Sequence, residues 1–387
     1  MLPPEAPPLR PTWLEVRLDV LRANLEAIRR KVSPARVMAV VKANAYGHGI
    51  EGVAPFIAPY ADYLGVALLE EGVLLRHLGI QKPILVMGGM FPEQIPCFLR
   101  YDLTLTVGSW RLLEAAEEIA AAHGKRLKVH LKIDTGMERL GVHDYEAEPF
   151  LLRAQACRHL EIEGIYSHFA NSERADLSHA RLQIERFLEV LRFYERRSLP
   201  PPPLRHMANS GAVLQLPESY FDMVRPGILF YGIYPGAETQ RSVAVRPAMI
   251  WHSRVVHAKI TLPERPVSYG STWKASQPSR ILTIPCGYGD GYFRQMSNRA
   301  QVVIRGKRYP QVGRICMDQF MVNAGEDEIE SGEEVILMGE GAQGAGIHPE
   351  ELAAWAGTIP YEVLTNISAR VPRVFSGAER PNTDGDE

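Results

Sequence analysis

The sequence predicts an α/β fold in which an N-terminal (β/α)8 barrel of the TIM type precedes a mostly-β domain. Strand-like and helix-like segments alternate up to about residue 241. This alternation favours parallel βα units, and eight strands favour a closed barrel over its alternative, an open doubly wound sheet. From about residue 242, short β-like runs alternate with Gly- and Pro-containing turns, which is typical of a small β domain. We therefore expect domains at 12–241 and 242–375, with disordered tails at 1–11 and 376–387.

The predicted barrel strands are short apolar runs. They are Val37–Val41, Tyr63–Ala67, Pro83–Met87, Leu103–Val107, Leu127–Ile133, Leu160–Tyr166, Leu204–Met207 and Asp222–Val224. A further strand, Trp13–Arg17, comes before them. Helical patterns follow at about 19–32, 43–60, 70–79, 109–123 and 177–196. In the second domain, β-like runs cover 249–260, 280–284, 301–304 and 334–338, and helices are expected at 348–355 and 360–367.

Composition bounds the class of protein. The 387 residues are 46% hydrophobic and 23% charged, which is typical of a globular chain with a sizeable core. A net charge of −2 shows no excess of basic residues that would favour binding to nucleic acid or an anionic membrane. The four cysteines have no paired spacing, so we expect free thiols, no metal site and a cytoplasmic location. No apolar run reaches the roughly 18 residues that span a bilayer.

Lys42 ends the apolar run Val37–Val41 and precedes small and turn-forming residues. It would lie at the carboxyl end of a buried strand, where parallel barrels place their ligands. An amine in apolar surroundings can lose its proton and act as a nucleophile. Spacing alone favours a simpler interpretation, in which the lysine reaches solvent.

The strand Leu127–Ile133 carries a second unusual lysine. Apolar residues occupy one face of this strand, while Lys128, His130 and Lys132 occupy the other. A barrel strand has no wet face away from its ends, so an inward Lys132 must be paired, deprotonated or modified. The turn that follows presents Arg139.

Further polar and small residues follow later strands. His168 comes after Tyr166, and the segments Met207–Gly211 and Val224–Ile228 end the last two strands. Hydroxyl and backbone N–H groups at these positions suit a phosphate group. Each segment is a weak signal alone, and His168 alone is more often structural, but their joint position at successive strand ends is a strong one.

The motifs resemble those of the alanine racemases, a pyridoxal-phosphate-dependent family with a (β/α)8 barrel and a C-terminal β domain. The matching segments run in the family's order from about residue 12 to 375. They are Ala39–Gly49, His130–Gly141, Met207–Ser210, Val224–Ile228, Val267–Thr272, Gly287–Gly291, Gly313–Gln319 and Pro360–Glu362. The resemblance implies racemisation of L- and D-alanine, supplying D-alanine for peptidoglycan synthesis.

The resemblance also implies roles for individual residues. Lys42 would hold pyridoxal 5'-phosphate as a Schiff base, and Arg225 would donate a hydrogen bond to the pyridine nitrogen. The cofactor phosphate would be bound by Tyr46, Ser210, Gly227, Ile228 and Tyr361. Arg139 and the backbone of Met317 would bind the substrate carboxylate, Tyr288 would narrow the entrance, and Lys132 is a candidate for carbamylation.

Racemisation requires a base on each face of the substrate Cα. By resemblance, Lys42 serves one face and Tyr269 from a partner subunit serves the other, so we expect a homodimer with shared sites. His168, which the resemblance also implies as a cofactor-binding residue, and Arg225 would assist the tyrosine. Two other functions stay open: a non-catalytic pyridoxal-phosphate carrier, which would lack the β domain, and a racemase or decarboxylase of different substrate range.

Overall fold

The computed structural model describes residues 9–341 and 344–378. The expected disordered tails at 1–8 and 379–387 lie outside the described residues. For the described residues 9–11 and 376–378, the expectation of disordered tails is wrong. Arg10 forms a two-pronged ion pair with Asp290, and Ser376 ends a strand and donates a hydrogen bond to Glu15.

The described chain forms two compact units. Residues 21–45 and 50–246 make the barrel unit, and the remaining described residues make the β unit. No helix in the described part of the chain is long and apolar enough to cross a bilayer.

The barrel unit contains the eight predicted parallel strands. Strand β1 (Trp13–Arg17), which belongs to the β unit, and helix α1 (Leu18–Val32) come first in the chain. The strands that follow are β2 (Arg36–Val40), β3 (Tyr63–Val66), β4 (Ile84–Val86), β5 (Thr104–Val107), β6 (Leu127–Asp134), β7 (Val142–His143), β8 (Leu160–Tyr166), β9 (Leu204–His206) and β10 (Met223–Val224). They pair in the order β5-β4-β3-β2-β10-β9-β8-β6, and β5 pairs with β6 to close the barrel. Strand β7 extends the pairing of β6. Closure confirms the barrel and excludes the open sheet.

Helices alternate with these strands. They are α3 (Ile50–Ile57), α4 (Leu69–His77), α5 (Ile95–Tyr101), α6 (Trp110–Ala122), α7 (Ala147–Gln155), α8 (Ser178–Arg196) and α9 (Ser210–Gln215). Before α3, the short segment α2 (Lys42–Tyr46) is a left-handed turn and not a right-handed helix. The Ser109 hydroxyl caps α6 by accepting from the Leu112 amide. Helices α5, α7 and α9 were not predicted, and each has nine residues or fewer.

Side chains from six strands fill one layer of the barrel interior. They are Met38, Tyr63, Leu85, Tyr166, Leu204 and Met223. These residues are nearly fully buried and close the space between the strands. Ligand chemistry is therefore confined to the groups that follow the strands' carboxyl ends.

The β unit is built on a ten-stranded sheet. Besides β1, this sheet contains β11 (Met249–Arg254), β12 (His257–Thr261), β15 (Ser279–Ile284), β16 (Gln301–Ile304), β17 (Lys307–Val312), β18 (Phe320–Gly325), β19 (Glu334–Glu340), β20 (Gly346–Ile347) and β21 (Arg373–Ser376). Strands β13 (Pro266–Val267) and β14 (Trp273–Lys274) pair in a separate two-stranded sheet. Helices α10 (Pro349–Ala356) and α11 (Pro360–Thr365) lie at the two predicted positions. Strands β13, β14, β17, β18, β20 and β21 were not predicted.

The expected boundary at residue 12 is wrong. Strand β1 pairs antiparallel with β11 and parallel with β21, so it is an interior strand of the β unit. Its burial alternates, which places Leu14 and Val16 in the core of that unit. The single run expected over 249–260 is also divided, since Val255 and Val256 leave the ladder and donate to Glu333 and Thr283.

Candidate active site

Lys42 lies two residues after the end of β2 and begins a left-handed turn. Residues 43–46 have φ between 51° and 55°. For residues other than glycine, this conformation costs roughly 1–2 kcal/mol each. Two side chains hold it: Glu71 accepts a 2.6 Å hydrogen bond from the Ala43 amide, and Asn44 accepts one of 2.8 Å from Ile50. Strain stored beside a lysine at a strand end marks a functional position.

The surroundings of Lys42 favour its neutral amine. Burial lowers the pKa of Lys42, and the positive charges of Arg139 and Arg225 lower it further. Glu71 acts in the opposite direction. The structure thus places Lys42, Arg139 and Arg225 near one another, as the sequence predicted, and makes the lysine a better nucleophile than an ordinary surface lysine.

Lys132 is buried inside the barrel, as its place on the polar face of β6 predicted. Its side chain is 5% exposed, and its ammonium donates a 3.3 Å hydrogen bond to the carbonyl of Ile133. It also lies 4.8 Å from the centre of the Tyr166 ring. Burial and the charge of Arg225 lower the pKa of Lys132 well below its usual value. A cation with so little compensation is costly, which supports deprotonation or modification.

The turn after β6 is organised by Asp134. Its carboxylate accepts hydrogen bonds from the amides of Gly136, Met137 and Arg139, at 2.8, 2.8 and 3.1 Å. Burial alone would raise the pKa of Asp134, but these backbone donors hold it below the usual value. Gly141 closes the turn at φ 123°, where a Cβ would lie 2.8 Å from the Asp134 nitrogen. Arg139 is thereby presented from a fixed loop.

Arg225 is fully enclosed by acceptors of the barrel unit. Its guanidinium donates to the carbonyls of Ser167 and Met207, at 2.8 and 3.2 Å, and to the Nδ1 atoms of His206 and His168, at 2.7 and 3.2 Å. Burial lowers the pKa of Arg225 to about 10, so it stays positively charged near neutral pH. Because arginine cannot accept a hydrogen bond, both Nδ1 atoms must be unprotonated.

The histidine chain continues to His130. The Nε2 atom of His206 lies 2.8 Å from the Nδ1 atom of His130. Since Arg225 occupies the Nδ1 atom of His206, the Nε2–H group of His206 donates to His130. Burial and Arg225 lower the pKa values of His206, His168 and His130, the last to about 3. All three rings are therefore neutral, and the hydrogen bonds run in one direction, away from Arg225.

Ser210 and the segment after β10, both predicted to bind a phosphate, are joined by hydrogen bonds. The Ser210 hydroxyl accepts from the amides of Gly227 and Leu229, at 2.9 and 3.2 Å. Ile228 lies between these residues and is fully buried. A Cβ on Gly211 would lie 2.5 Å from the Ser172 carbonyl, so only glycine permits this approach. The hydroxyl and clustered backbone N–H groups fit a phosphate group.

Tyr46 and Tyr361, both predicted at the phosphate, lie together in the β unit. Their ring centres are 6.2 Å apart. Burial raises the pKa of Tyr46 above its usual value, so its hydroxyl stays protonated and can donate a hydrogen bond. The adjacent Gly47 approaches α11 so closely that a Cβ would lie 2.1 Å from the Leu364 carbonyl.

Tyr269 and Met317 belong to neighbouring turns of the β unit. Tyr269 is 74% exposed and follows Ser268, whose hydroxyl donates a 2.6 Å hydrogen bond to the Arg314 carbonyl. Tyr269 and Cys316 line a cavity of about 380 Å³. The Tyr288 amide donates to the Cys316 carbonyl at 3.0 Å, which joins the segment of Tyr288 to that of Met317. Tyr269 is therefore largely exposed in this chain.

Sequence reasoning assigned no site role to Glu71, Asp134, His206 or the ring of His130. Glu71 was assigned only to the start of α4, whereas it also accepts from the residue after Lys42. His130 and His206 stand at inward positions of β6 and β9. Inward polar residues on neighbouring barrel strands were the signal that could have found the histidine pair.

Comparisons with known proteins agree with this geometry. The family described as alanine racemase, N-terminal domain, matches residues 16–235, and the family described as alanine racemase, C-terminal domain, matches residues 248–375. The alanine racemase of Carboxydothermus hydrogenoformans is 43% identical over 370 residues, which cover 95% of this chain and 100% of that one. The alanine racemase of Chlorobaculum tepidum is 44% identical and covers 93% of this chain and 94% of its own.

Solved structures give the same result. The alanine racemase of a D-cycloserine-producing Streptomyces lavendulae superposes with a TM-score of 0.90 at 35% identity, covering 97% of this chain and 99% of that chain. The alanine racemase of Bacillus anthracis, solved with bound L-Ala-P, gives a TM-score of 0.89 at 36% identity and covers 96% and 97%. The chain described here belongs to the alanine racemase family.

Proposed function

We propose that this protein interconverts L- and D-alanine with pyridoxal 5'-phosphate held at Lys42, and so supplies D-alanine for peptidoglycan synthesis. The observation that carries the proposal is the position of Lys42, which follows barrel strand β2 and precedes the left-handed turn of residues 43–46. Burial and the charges of two arginines lower its pKa. Membership of the alanine racemase family supports the same reaction. When bound, the cofactor would supply a conjugated ring that withdraws electrons from the substrate Cα.

The residues present fit this cofactor. Ser210, Gly227 and Ile228 would hold its phosphate through a hydroxyl and backbone N–H groups, with the phenols of Tyr46 and Tyr361 completing the set. The close packing at Gly211 keeps side-chain bulk out of the cradle. Lys42 would anchor the cofactor through its amine.

Arg225 would donate a hydrogen bond to the pyridine nitrogen. An arginine, unlike a carboxylic acid, leaves that nitrogen unprotonated. With that nitrogen unprotonated, the cofactor would be a weaker electron sink, which would suit racemisation over transamination. His206 and His168 fix the guanidinium, so its orientation is set before substrate binds.

Two bases would move the α-proton. Lys42 would act on one face of Cα, where burial and nearby cations favour its neutral form. Tyr269 of the partner subunit would act on the other. A free tyrosine titrates near pH 10, and the hydrogen-bonded pair of His168 and Arg225 would stabilise its deprotonated form. The 74% exposure of Tyr269 supports a role in another chain's site, and hence a homodimer.

Arg139 and the backbone N–H group of Met317 would bind the substrate carboxylate, and Tyr288 would narrow the entrance. Lys132 would be carbamylated. That modification replaces a poorly compensated buried cation with an anion, and Arg139 belongs to the charged groups that act on Lys132. The resulting carbamate would orient Arg139. Location in the cytoplasm stays a prediction from sequence.

A racemisation assay against a panel of amino acids tests this proposal. We expect both enantiomers of alanine to be interconverted, with alanine preferred over amino acids with larger side chains. Absence of racemisation in cofactor-loaded protein would favour a carrier. Equal rates on larger amino acids would favour a broad racemase, and CO2 release would indicate a decarboxylase.

A further inference from the structure

Arg10 and Asp290 form a buried ion pair within the β unit. The two Nη atoms of Arg10 each lie 2.6 Å from one carboxylate oxygen of Asp290. The Asp290 side chain is fully buried, whereas that of Arg10 is 25% exposed. This parallel two-bond geometry fixes both the distance and the orientation of the partners. A charge buried as completely as Asp290 must keep its partner, because losing it is costly.

Asp290 lies in a segment that is bonded to the turn carrying Met317. The Tyr288 amide donates to the Cys316 carbonyl at 3.0 Å, and the Gly289 amide donates to the Met317 carbonyl at 2.9 Å. At Gly287 a Cβ would lie 2.3 Å from the Cys316 carbonyl oxygen. The segment 285–292 and the turn 316–318 are therefore held together by backbone hydrogen bonds and close packing.

Contacts of Arg10 and Asp290 hold segment 285–292 and turn 316–318 in place from two sides. Arg10 and the Thr12 hydroxyl each donate a 2.9 Å hydrogen bond to the Pro285 carbonyl. The Asp290 carboxylate also accepts from the Gly287 amide at 3.0 Å. On the other side, Arg370 lies 3.6 Å from Asp290 and 2.6 Å from Asp318.

We propose that Arg10 is a positioning residue for the substrate site: through Asp290 it sets the backbone of Tyr288 and Met317, and thereby the affinity for the substrate carboxylate. The inference rests on the proposed roles of Met317 and Tyr288. It goes beyond them by assigning a part in the site to a residue near the N-terminus. The backbone N–H group of Met317 can be aimed only by moving its turn, since it has no side-chain torsion of its own.

A purely stabilising ion pair is the competing explanation, and the β unit contains a control for it. Arg308 in β17 makes a two-bond ion pair with Glu351 in α10, at 2.6 and 2.9 Å. This pair is more exposed, and in the described part of the chain its other hydrogen bonds go to Gly346 and His348, outside segment 285–292 and turn 316–318. Arg308→Ala therefore removes a similar interaction without touching the proposed positioning path.

The test compares Arg10→Ala, Arg10→Lys and Arg308→Ala as cofactor-loaded enzymes. We measure kcat and KM for both alanine enantiomers, and amide hydrogen exchange of peptides covering 285–292 and 316–318. For Arg10→Ala we expect KM to rise roughly 5- to 20-fold, with a smaller change in kcat and faster exchange in both peptides. Arg10→Lys keeps the positive charge but loses the two-pronged guanidinium, so its KM should lie between those of the wild type and of Arg10→Ala. Should Arg10→Ala fail to fold, Arg10→Lys alone carries the comparison.

The outcomes separate two failures. Unchanged exchange in both Arg10 variants would overturn the positioning inference, as would an equal rise in KM for Arg308→Ala. Faster exchange with unchanged KM would instead overturn the substrate-binding roles proposed for Met317 and Tyr288. A KM increase with faster exchange, found in the Arg10 variants and absent from Arg308→Ala, supports the inference.

Discussion

The carboxylate of Glu71 accepts a 2.6 Å hydrogen bond from the amide of Ala43, the residue after Lys42. The same side chain accepts from the amides of Ala67 and Leu68 at the start of α4. One carboxylate thus joins the cap of a barrel helix to the left-handed turn that orients Lys42. It also raises the pKa of that lysine against the lowering effects of burial and of the two arginines.

Replacing Glu71 by Gln should make Lys42 less basic. The substitution removes a negative charge that favours the ammonium form, so the pKa of Lys42 should fall further below its ordinary value. In cofactor-free protein, the rate of Lys42 acylation should then reach half its maximum at lower pH than in the wild type. Glu70→Gln, on the exposed neighbour, is the control and should leave the midpoint in place. A midpoint that moves upward in Glu71→Gln would contradict the electrostatic account.

Lys132 should take up carbon dioxide. Protein prepared in ¹³C-bicarbonate should show a carbamate carbon signal in NMR spectra, because the low pKa leaves the Lys132 amine neutral and nucleophilic. Lys132→Ala should lose the signal. Lys128→Ala should retain it, since Lys128 stands on the same strand but is paired with the exposed Asp102. A signal that persists in Lys132→Ala would place the carbamate elsewhere.

The β unit should lose stability in acid partly through Glu15. Its carboxylate accepts hydrogen bonds from His252 and Ser376, and these lower the pKa of Glu15 to about 2 from an unfolded value of 4.5. A lowered folded pKa adds stability that is fully present above pH 4.5 and is lost as the pH falls towards 2.

Glu15→Gln should therefore lower the free energy of unfolding by about 1 kcal/mol at neutral pH, a discounted value for a partly exposed group. The deficit should shrink between pH 5 and pH 3, as followed by urea unfolding. A deficit that stays constant over this range would mean that the lost contacts, and not the titration of Glu15, destabilise the variant.

Tyr269→Phe should impair proton removal from one enantiomer more than from the other. We expect a 10²- to 10⁴-fold loss for the enantiomer whose proton the phenol would take, measured as deuterium incorporation in D2O. Lys42 would still serve the opposite face. Equal losses for both enantiomers would count against two separate bases.

Mixed dimers test whether the tyrosine comes from the partner. Lys42→Ala and Tyr269→Ala are each inactive in this account, but a hybrid dimer contains one site with both native residues. Activity should return when the two variants are mixed and dissociated together. If isolated hybrids stay inactive, both bases must come from one chain.

The barrel could be predicted from sequence because each strand is a short apolar run and each long helix has a clear face. The strands from β2 to β10 follow the predicted positions closely, with only the short β7 unpredicted. Strand β1 was predicted as a strand but placed in the wrong unit. Its pairing with β11 and β21, more than 200 residues away along the chain, leaves no local signal.

Some site residues were predicted from the local sequence pattern, some from the family resemblance, and some were not predicted. Burial of Lys132 followed from alternation along β6, and the position of Lys42 followed from the end of β2. The roles of Arg225, Met317 and Tyr269 came from the family resemblance alone. The contacts of Glu71 with Ala43 and of His206 with Arg225 depend on side chains from different strands and helices, so no local pattern reports them.

Covalent trapping tests the central claim most directly. The cofactor-loaded enzyme is reduced with borohydride, digested, and its peptides are sequenced by mass spectrometry. The account predicts that the reduced cofactor is attached to Lys42 and that Lys42→Ala carries no label. A label on Lys132 or on any other lysine of the wild-type enzyme would contradict it.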